Sequence, residues 1–253
     1  MIPVTLADAH GAELAAAARW NGAGAVPRAL AVAALAEQRL ELRLAGDPAR
    51  FRAALRALPP GVAADVADDV TAHRELAALT PPRPASAFRV GRAAAAATLL
   101  RFYREAERRS GVAWQLLAAV NYVESDFGRV RNESASGAQG PMQFIPPTWR
   151  TYGRGDVHDP HAAILGAARF LRAAGAPGDV RGALYRYNPS RAYVDAILRF
   201  AARIRRDRRA YLVFYARELI VRTPSGYRQL TRCRVRISDE NWPRRQHSAR
   251  LTL

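Results

Sequence analysis

Lysine is absent from this chain of 253 residues: all 39 basic side chains are arginine. Against 22 acids they leave a formal net charge of +17, which draws a protein towards polyanions such as nucleic acid or anionic surfaces. Abundant alanine beside arginine also points to a GC-rich genome. Cysteine occurs once, at Cys233, which excludes an internal disulfide and any cysteine-based zinc site. No apolar run of about 20 residues is present to span a bilayer. The nearest candidate, 29–36, meets Glu37 at once. Residues 1–20 carry neither a basic start nor an apolar h-region. The five histidines (His10, His73, His158, His161, His247) are scattered, so no metal site and no cofactor are expected.

The basic residues gather late. Between Arg199 and Arg236 twelve arginines stand against two acids, Asp207 and Glu218. The block has no zinc-ligand spacing and no helix-turn-helix or RNA-binding signature. Specific nucleic-acid binding is therefore not expected, and the arginines read as a solvated face attracted to anionic polymers or a membrane surface.

Proline and glycine punctuate the rest. Residues 1–26 show weak periodicity and read as loose. Helices are predicted over 28–44, 48–58 and 63–79, the last closed by Thr80-Pro81-Pro82-Arg83-Pro84. A long helix is predicted over 90–109, and further helices over 111–124, 147–152, 160–174, 180–187 and 189–209. Residues 211–222 are aromatic and β-branched, Pro224-Ser225-Gly226 is a turn signal, and alternation resumes over 229–237. This predicts a β-hairpin followed by a frayed tail. The chain divides on this reading into 1–87, a helical extension; 88–209, a helical catalytic domain; and 210–253, a hairpin with a basic tail.

The densest chemistry lies in 121–149, NYVESDFGRVRNESASGAQGPMQFIPPTW. Glu124 ends an apolar helical run, where partial desolvation raises a carboxyl towards the range of a general acid. A glycine- and serine-rich loop follows, then Gly140-Pro141-Met142-Gln143-Phe144. Such a carboxylate beside a groove-forming loop with aromatic residues points to acid/base work on a sugar polymer.

Four blocks in order carry a family resemblance: Glu124-Ser125-x-Phe127-Gly128; Gly137-Ala138-Gln139-Gly140-Pro141-Met142-Gln143-Phe144 with Pro147-x-Trp149; Asp159-Pro160 through Phe170-Leu171; and Ala183-Leu184-Tyr185-x-Tyr187-Asn188 followed by Tyr193-Val194. Over roughly 100–205 the chain resembles the soluble lytic transglycosylase (SLT) domain, a relative of goose-type lysozyme. Where that family often continues Tyr-Asn-Ala-Gly, this chain has Asn188-Pro189-Ser190, which resembles a subset common in high-GC bacteria. Proline stiffens that turn and restricts Asn188.

The resemblance implies a mainly α, lysozyme-like fold and cleavage of peptidoglycan outside the membrane. It implies Glu124 as the sole catalytic acid/base and Ser125 as the neighbour that orients it. Gln143, Met142, Phe144, Tyr187 and Asn188 would then bind the glycan strand. Most glycosidases use two carboxylates, whereas a lytic transglycosylase closes the muramic 6-hydroxyl onto C1 and needs one. The alternatives are a hydrolytic muramidase, with Asp126 the first suspect for placing water, and a catalytically silent wall-binding protein.

Overall fold

The computed structural model describes residues 5–230. Helix starts are set by capping side chains and prolines, as the punctuation predicts. Helix α1 (Leu6–Ala17) is opened by a capping box in which Thr5 and Asp8 satisfy each other's backbone N–H groups. Helix α2 (Arg28–Ala45) follows Pro27, α3 (Pro48–Ala57) is capped by Asp47, and α4 (Pro60–Leu79) follows Pro59. Helix α5 (Ala96–Ser110) stops at Gly111, whose φ of 74° only glycine adopts freely. The helix that carries Glu124 is α6 (Trp114–Ser125). After it come α7 (Pro146–Tyr152), α8 (Pro160–Ala173), α9 (Val180–Tyr187), α10 (Arg191–Arg206) and α11 (Arg209–Ala216). The chain then forms an antiparallel hairpin of β1 (Ile220–Thr223) and β2 (Gly226–Gln229).

Helix α6 sits at the centre. Its Leu117, Ala118, Ala119 and Val120 are fully buried, and α5, α8, α10 and α11 pack around it. Leu99, Ile164, Ile197 and Phe214 from those four helices close the core. The N-terminal helices join the same core through Ala17, Trp20, Leu30 and Ala34. A smaller cluster of Phe51, Val66 and Val70 lies between α3 and α4. The fold is thus mainly α with one small hairpin, consistent with a lysozyme-like arrangement.

Three expectations need correction. Residues 6–17 are helical, not loose; their buried face carries His10, Glu13 and alanines, so no stripe of large apolar residues betrays it. The helix predicted from Val90 begins at Ala96, because residues 89–91 pair with 129–131 through a Val90–Val130 bridge. Residues 209–216 are helix α11 rather than strand. Tyr211, Phe214 and Tyr215 are spaced for one helical face and all bury, so tertiary packing overrides their β propensity. The hairpin occupies 220–229; the strand expected beyond Leu230 and the tail lie outside the described residues.

The late arginines also behave differently from expectation. Arg203 and Arg217, on or just after α10 and α11, are fully buried, not solvated. Arg203 donates to Asp69 and to Glu13 (2.9 Å), and Arg217 to Asp69 (2.8 Å) and Glu41 (3.0 Å). Outside them Arg206 pairs with Asp65 and Asp68, and Arg199 with Asp68. Arg199, Arg203, Arg206 and Arg217 of the block are thus paired with acids of the N-terminal helices, which are far away in sequence. Burial and the adjacent Glu37 carboxylate raise the pKa of Glu13 well above the usual range. Burial also opposes ionisation of Glu37, yet hydrogen bonds from Glu13 and His10 bring it down to about 2.

Removing one partner from a buried network leaves an uncompensated charge. Arg203→Met is expected to cost about 3–5 kcal/mol of stability, read as a lowered urea midpoint at pH 7. A loss below about 1 kcal/mol would mean that this network does not hold the N-terminal helices to α10.

Candidate active site

The site grows out of the C-terminus of α6. Immediately after Glu124 and Ser125 the chain reverses through Asp126 and Phe127, both with positive φ (50° and 60°), and Gly128 (84°). Left-handed backbone at two non-glycine residues costs energy and collects where geometry is functionally constrained. Phe127 pays for its conformation by burying its ring between Tyr122, Tyr211 and Tyr215.

The loop facing this turn is pinned by two carbonyl oxygens. Pro141 O accepts from Ser125 Oγ (2.6 Å) and Asn121 Nδ2 (2.8 Å), and Met142 O accepts from Tyr187 Oη (2.5 Å). Asn121 is itself held by Tyr103 Oη (2.5 Å). A Gln139–Phe144 bridge closes the loop, and Gly140 (φ 73°) is required there because a β-carbon would strike the Val157 carbonyl. Behind the loop the Trp149 ring lies against Gly166, where a β-carbon would stand 2.8 Å from the indole.

Glu124 is half-buried, and its Oε1 accepts from Tyr193 Oη at 2.6 Å. Burial raises its pKa to about 7, against a smaller downward pull from the Tyr193 hydrogen bond. Tyr187 and Tyr193 are held well above the ordinary tyrosine range by burial and by the nearby Glu124, so both remain hydroxyl donors. Helix α9 ends at Tyr187, and Pro189 leaves Asn188 extended (φ −142°, ψ 116°). Ser190 then caps α10, which sets Tyr193 in the first turn.

The predicted site residues separate into two groups. Glu124, Gln143, Tyr187 and Asn188 are each partly exposed, and Tyr187 lies near Glu124 while its hydroxyl holds Met142 O, next to Gln143. Gln143, at φ 49°, donates from Nε2 to Gly140 O (2.9 Å) and Asn132 O (3.3 Å), leaving its Oε1 available. The Asn188 side chain makes no hydrogen bond among the described residues. Ser125, Met142 and Phe144 are instead buried, at 1%, 0% and 3% exposure. Their side chains hold the loop from behind and do not face the groove, and Ser125 Oγ is turned to Pro141 O and Gly128 N rather than to the Glu124 carboxylate.

Two contributors were given no role on the sequence alone. Tyr193 lies in the buried stripe of α10 with Val194, Ile197, Phe200 and Ile204; a tyrosine on such a face must find a partner for its hydroxyl, and that was the signal. Asn121 is a fully buried amide inside an apolar helix, which likewise demands partners.

The other acids near Glu124 in sequence are engaged. Arg129 donates to Asp126 (3.0 Å) while also donating to Tyr215 O. Asp156 and Asp159 accept backbone N–H groups of His158 and Ala162, and Glu133 accepts from Gln139. His161 pairs with Glu105 (2.9 Å), away from His158. Elsewhere His10, Glu13 and Glu37 bring ligand-type atoms within 4.8 Å of one another, but Arg203 already supplies positive charge there. A depression of about 570 Å³ lined by Tyr152, Phe170, Asp179 and Arg186 lies one aromatic layer from Tyr187, through Phe170.

The linkage of Glu124 to stability has a definite sign. Its folded pKa of about 7 exceeds the ordinary 4.5, so its contribution is fully present below pH 4.5 and is lost as pH rises through 7. Ionising it in place costs up to roughly 3 kcal/mol. Glu124→Gln should therefore melt above the parent protein at pH 8, with the gap closing towards pH 4.5. A gap independent of pH would show that Glu124 titrates normally.

Residues 101–199 match the family described as the transglycosylase SLT domain. Membrane-bound lytic murein transglycosylase F of Thiobacillus denitrificans is 38% identical over 69 residues, which cover 27% of this chain and 14% of that protein. The chain thus spans only a small part of that relative's length. No solved structure matches the chain. The matched segment runs from α5 to α10, carries Glu124, Gln143 and Tyr187-Asn188, and is similar to the transglycosylase SLT domain.

Proposed function

We propose that this protein is a peptidoglycan lytic transglycosylase that cleaves the β-1,4 bond between N-acetylmuramic acid and N-acetylglucosamine. The observation that carries the reading is the half-buried Glu124, with a pKa near 7 and a tyrosine hydroxyl on its carboxylate. A group poised near neutrality can both give and take a proton in one cycle.

In the first step protonated Glu124 gives its proton to the glycosidic oxygen as the bond to muramic C1 breaks. The substrate's own N-acetyl group stabilises the positive charge at C1. The muramic 6-hydroxyl then bonds to C1 and returns its proton to the Glu124 carboxylate. The product is a 1,6-anhydro end; no water is consumed and no second carboxylate is used. Hydrolysis is less favoured because Asp126, its best candidate for placing water, is tied to Arg129. A silent wall binder is less favoured because binding alone gives no reason to bury an acid at this cost. Action on peptidoglycan implies work outside the cytoplasmic membrane; no helix among the described residues is long and apolar enough to cross one.

Mass spectrometry of products from purified peptidoglycan tests the proposal. Anhydro-muropeptides that vanish with Glu124→Gln are expected; reducing ends heavier by one water would establish hydrolysis instead. In the same assay kcat/KM should fall as pH rises through about 7, since the free enzyme needs Glu124 protonated. Tyr193→Phe removes a hydrogen bond to the charged form and should move that limb upward. It should also lower kcat about 10- to 100-fold, the range for a hydrogen bond to a charged group. An unmoved limb would show that Tyr193 does not tune the acid.

A further inference from the structure

The short ladder beside the groove has an unfavourable feature. Val90 lies opposite Val130, and the flanking bonds, Gly91 N to Arg129 O and Arg131 N to Arg89 O (both 2.8 Å), set Arg89 opposite Arg131. Like charges directly opposite on paired strands repel. Arg92 adds a third guanidinium two residues from Val90. All three are exposed, and none pairs with a carboxylate among the described residues. This contrasts with α10, where Arg199, Arg203 and Arg206 each meet an acid.

The cluster is nonetheless ordered. Arg89 Nη2 donates to Arg131 O (3.1 Å), and Arg131 Nη2 donates to Arg92 O (2.7 Å). Arg131 lies flat across Gly91, where an added β-carbon would stand 2.6 Å from its Nε. Carbonyl partners fix the guanidinium groups of Arg89 and Arg131 without neutralising them, so their charge stays available to an anion.

Position completes the argument. Asn132 accepts from Arg89 N (2.8 Å) with its side chain and from Gln143 Nε2 (3.3 Å) with its carbonyl. Arg131 and Asn132 also line a small cleft with Gly140 and Pro141, the loop that Ser125 pins. The cations therefore border the Gln143 side of the groove. We propose that Arg89, Arg92 and Arg131 form a subsite for the carboxylates of the peptide carried on the muramic lactyl ether, so that the protein favours peptide-bearing over naked glycan strands. This rests on the peptidoglycan reading above.

The test uses peptide-bearing strands and the same strands stripped by an amidase, with the parent protein and an Arg89→Gln, Arg131→Gln double variant. The parent should show at least about a tenfold higher kcat/KM on peptide-bearing strands, the lower end expected for a charged hydrogen bond. Raising the salt should shrink that preference. The double variant should lose the preference, with its deficit confined to peptide-bearing strands. Its melting temperature should not drop, because a repulsive pair has been removed. Equal deficits on both substrates, no preference in the parent, or a melting temperature lowered by several degrees would each overturn the subsite.

A second arm separates this proposal from the one it rests on. Binding of a peptide-bearing muropeptide and of the same disaccharide without peptide is compared in Glu124→Gln protein. Tighter binding of the peptide-bearing form keeps the subsite, and it does so even if the parent protein cleaves no strand, an outcome that would discard the transglycosylase reading alone. Equal binding discards the subsite and leaves the chemistry of Glu124 untouched.

Discussion

The carbonyl oxygens of Pro141 and Met142 are the points on which the site depends. Each is a backbone acceptor in a loop with little regular structure of its own, and a buried acceptor must be satisfied. Ser125 and Asn121 supply donors from α6, and Tyr187 supplies one from α9. These three bonds fix the distance between the helix that carries the acid and the loop that carries Gln143. The serine next to the glutamate is thus best understood as a fastener. It sets where Glu124 stands relative to the opposite wall without touching its carboxylate. Tyr187 acts at the other side, with its ring packed on Phe144 and Phe170 and its hydroxyl on the loop.

Much of this was legible in the sequence, for a physical reason. Proline, glycine and capping residues act locally, so the boundaries of α2, α3, α8 and α9 follow from a few neighbouring residues. The groove motif was legible because its residue types at fixed spacing are rare outside one kind of site. What failed depended on partners distant in the chain. Residues 209–216 have the composition of a strand, and only the hydrophobic face offered by α1, α2 and α6 makes a helix the better solution. Val90 could have continued α5 towards its N-terminus; instead it pairs with Val130, which the reversal after α6 brings back.

The charge distribution makes the same point more sharply. Twelve arginines in a short stretch read as a solvated surface, yet Arg203 and Arg217 are among the most buried side chains in the protein. Their counter-ions, Glu13, Glu41 and Asp69, lie 134 to 190 residues away for the bonds that Arg203 makes and 148 to 176 for those of Arg217. No local window contains these two arginines together with those counter-ions. A composition count cannot tell an arginine that attracts a polyanion from one that locks two helices together. The distinction needs the partner, and it leaves the arginines with no carboxylate partner among the described residues, such as Arg89, Arg92 and Arg131, as the more informative set.

The N-terminal helices therefore do more than cover a surface. Through Asp69 and Glu13 they hold α10 by Arg203, and α10 carries Tyr193, whose hydroxyl donates to the acid at 2.6 Å. On α4, His73 is kept neutral by burial, with a pKa of about 3, and stands 3.5 Å from Tyr122 Oη, two residues before Glu124. Tyr122 in turn stacks on Phe127 and Phe214. The strained turn at Asp126 and Phe127 would relax if those rings could shift, and close packing prevents it. Rigid support of this kind is what an acid with a raised pKa requires: were the surroundings loose, water would enter, solvate the carboxylate and return Glu124 to an ordinary glutamate.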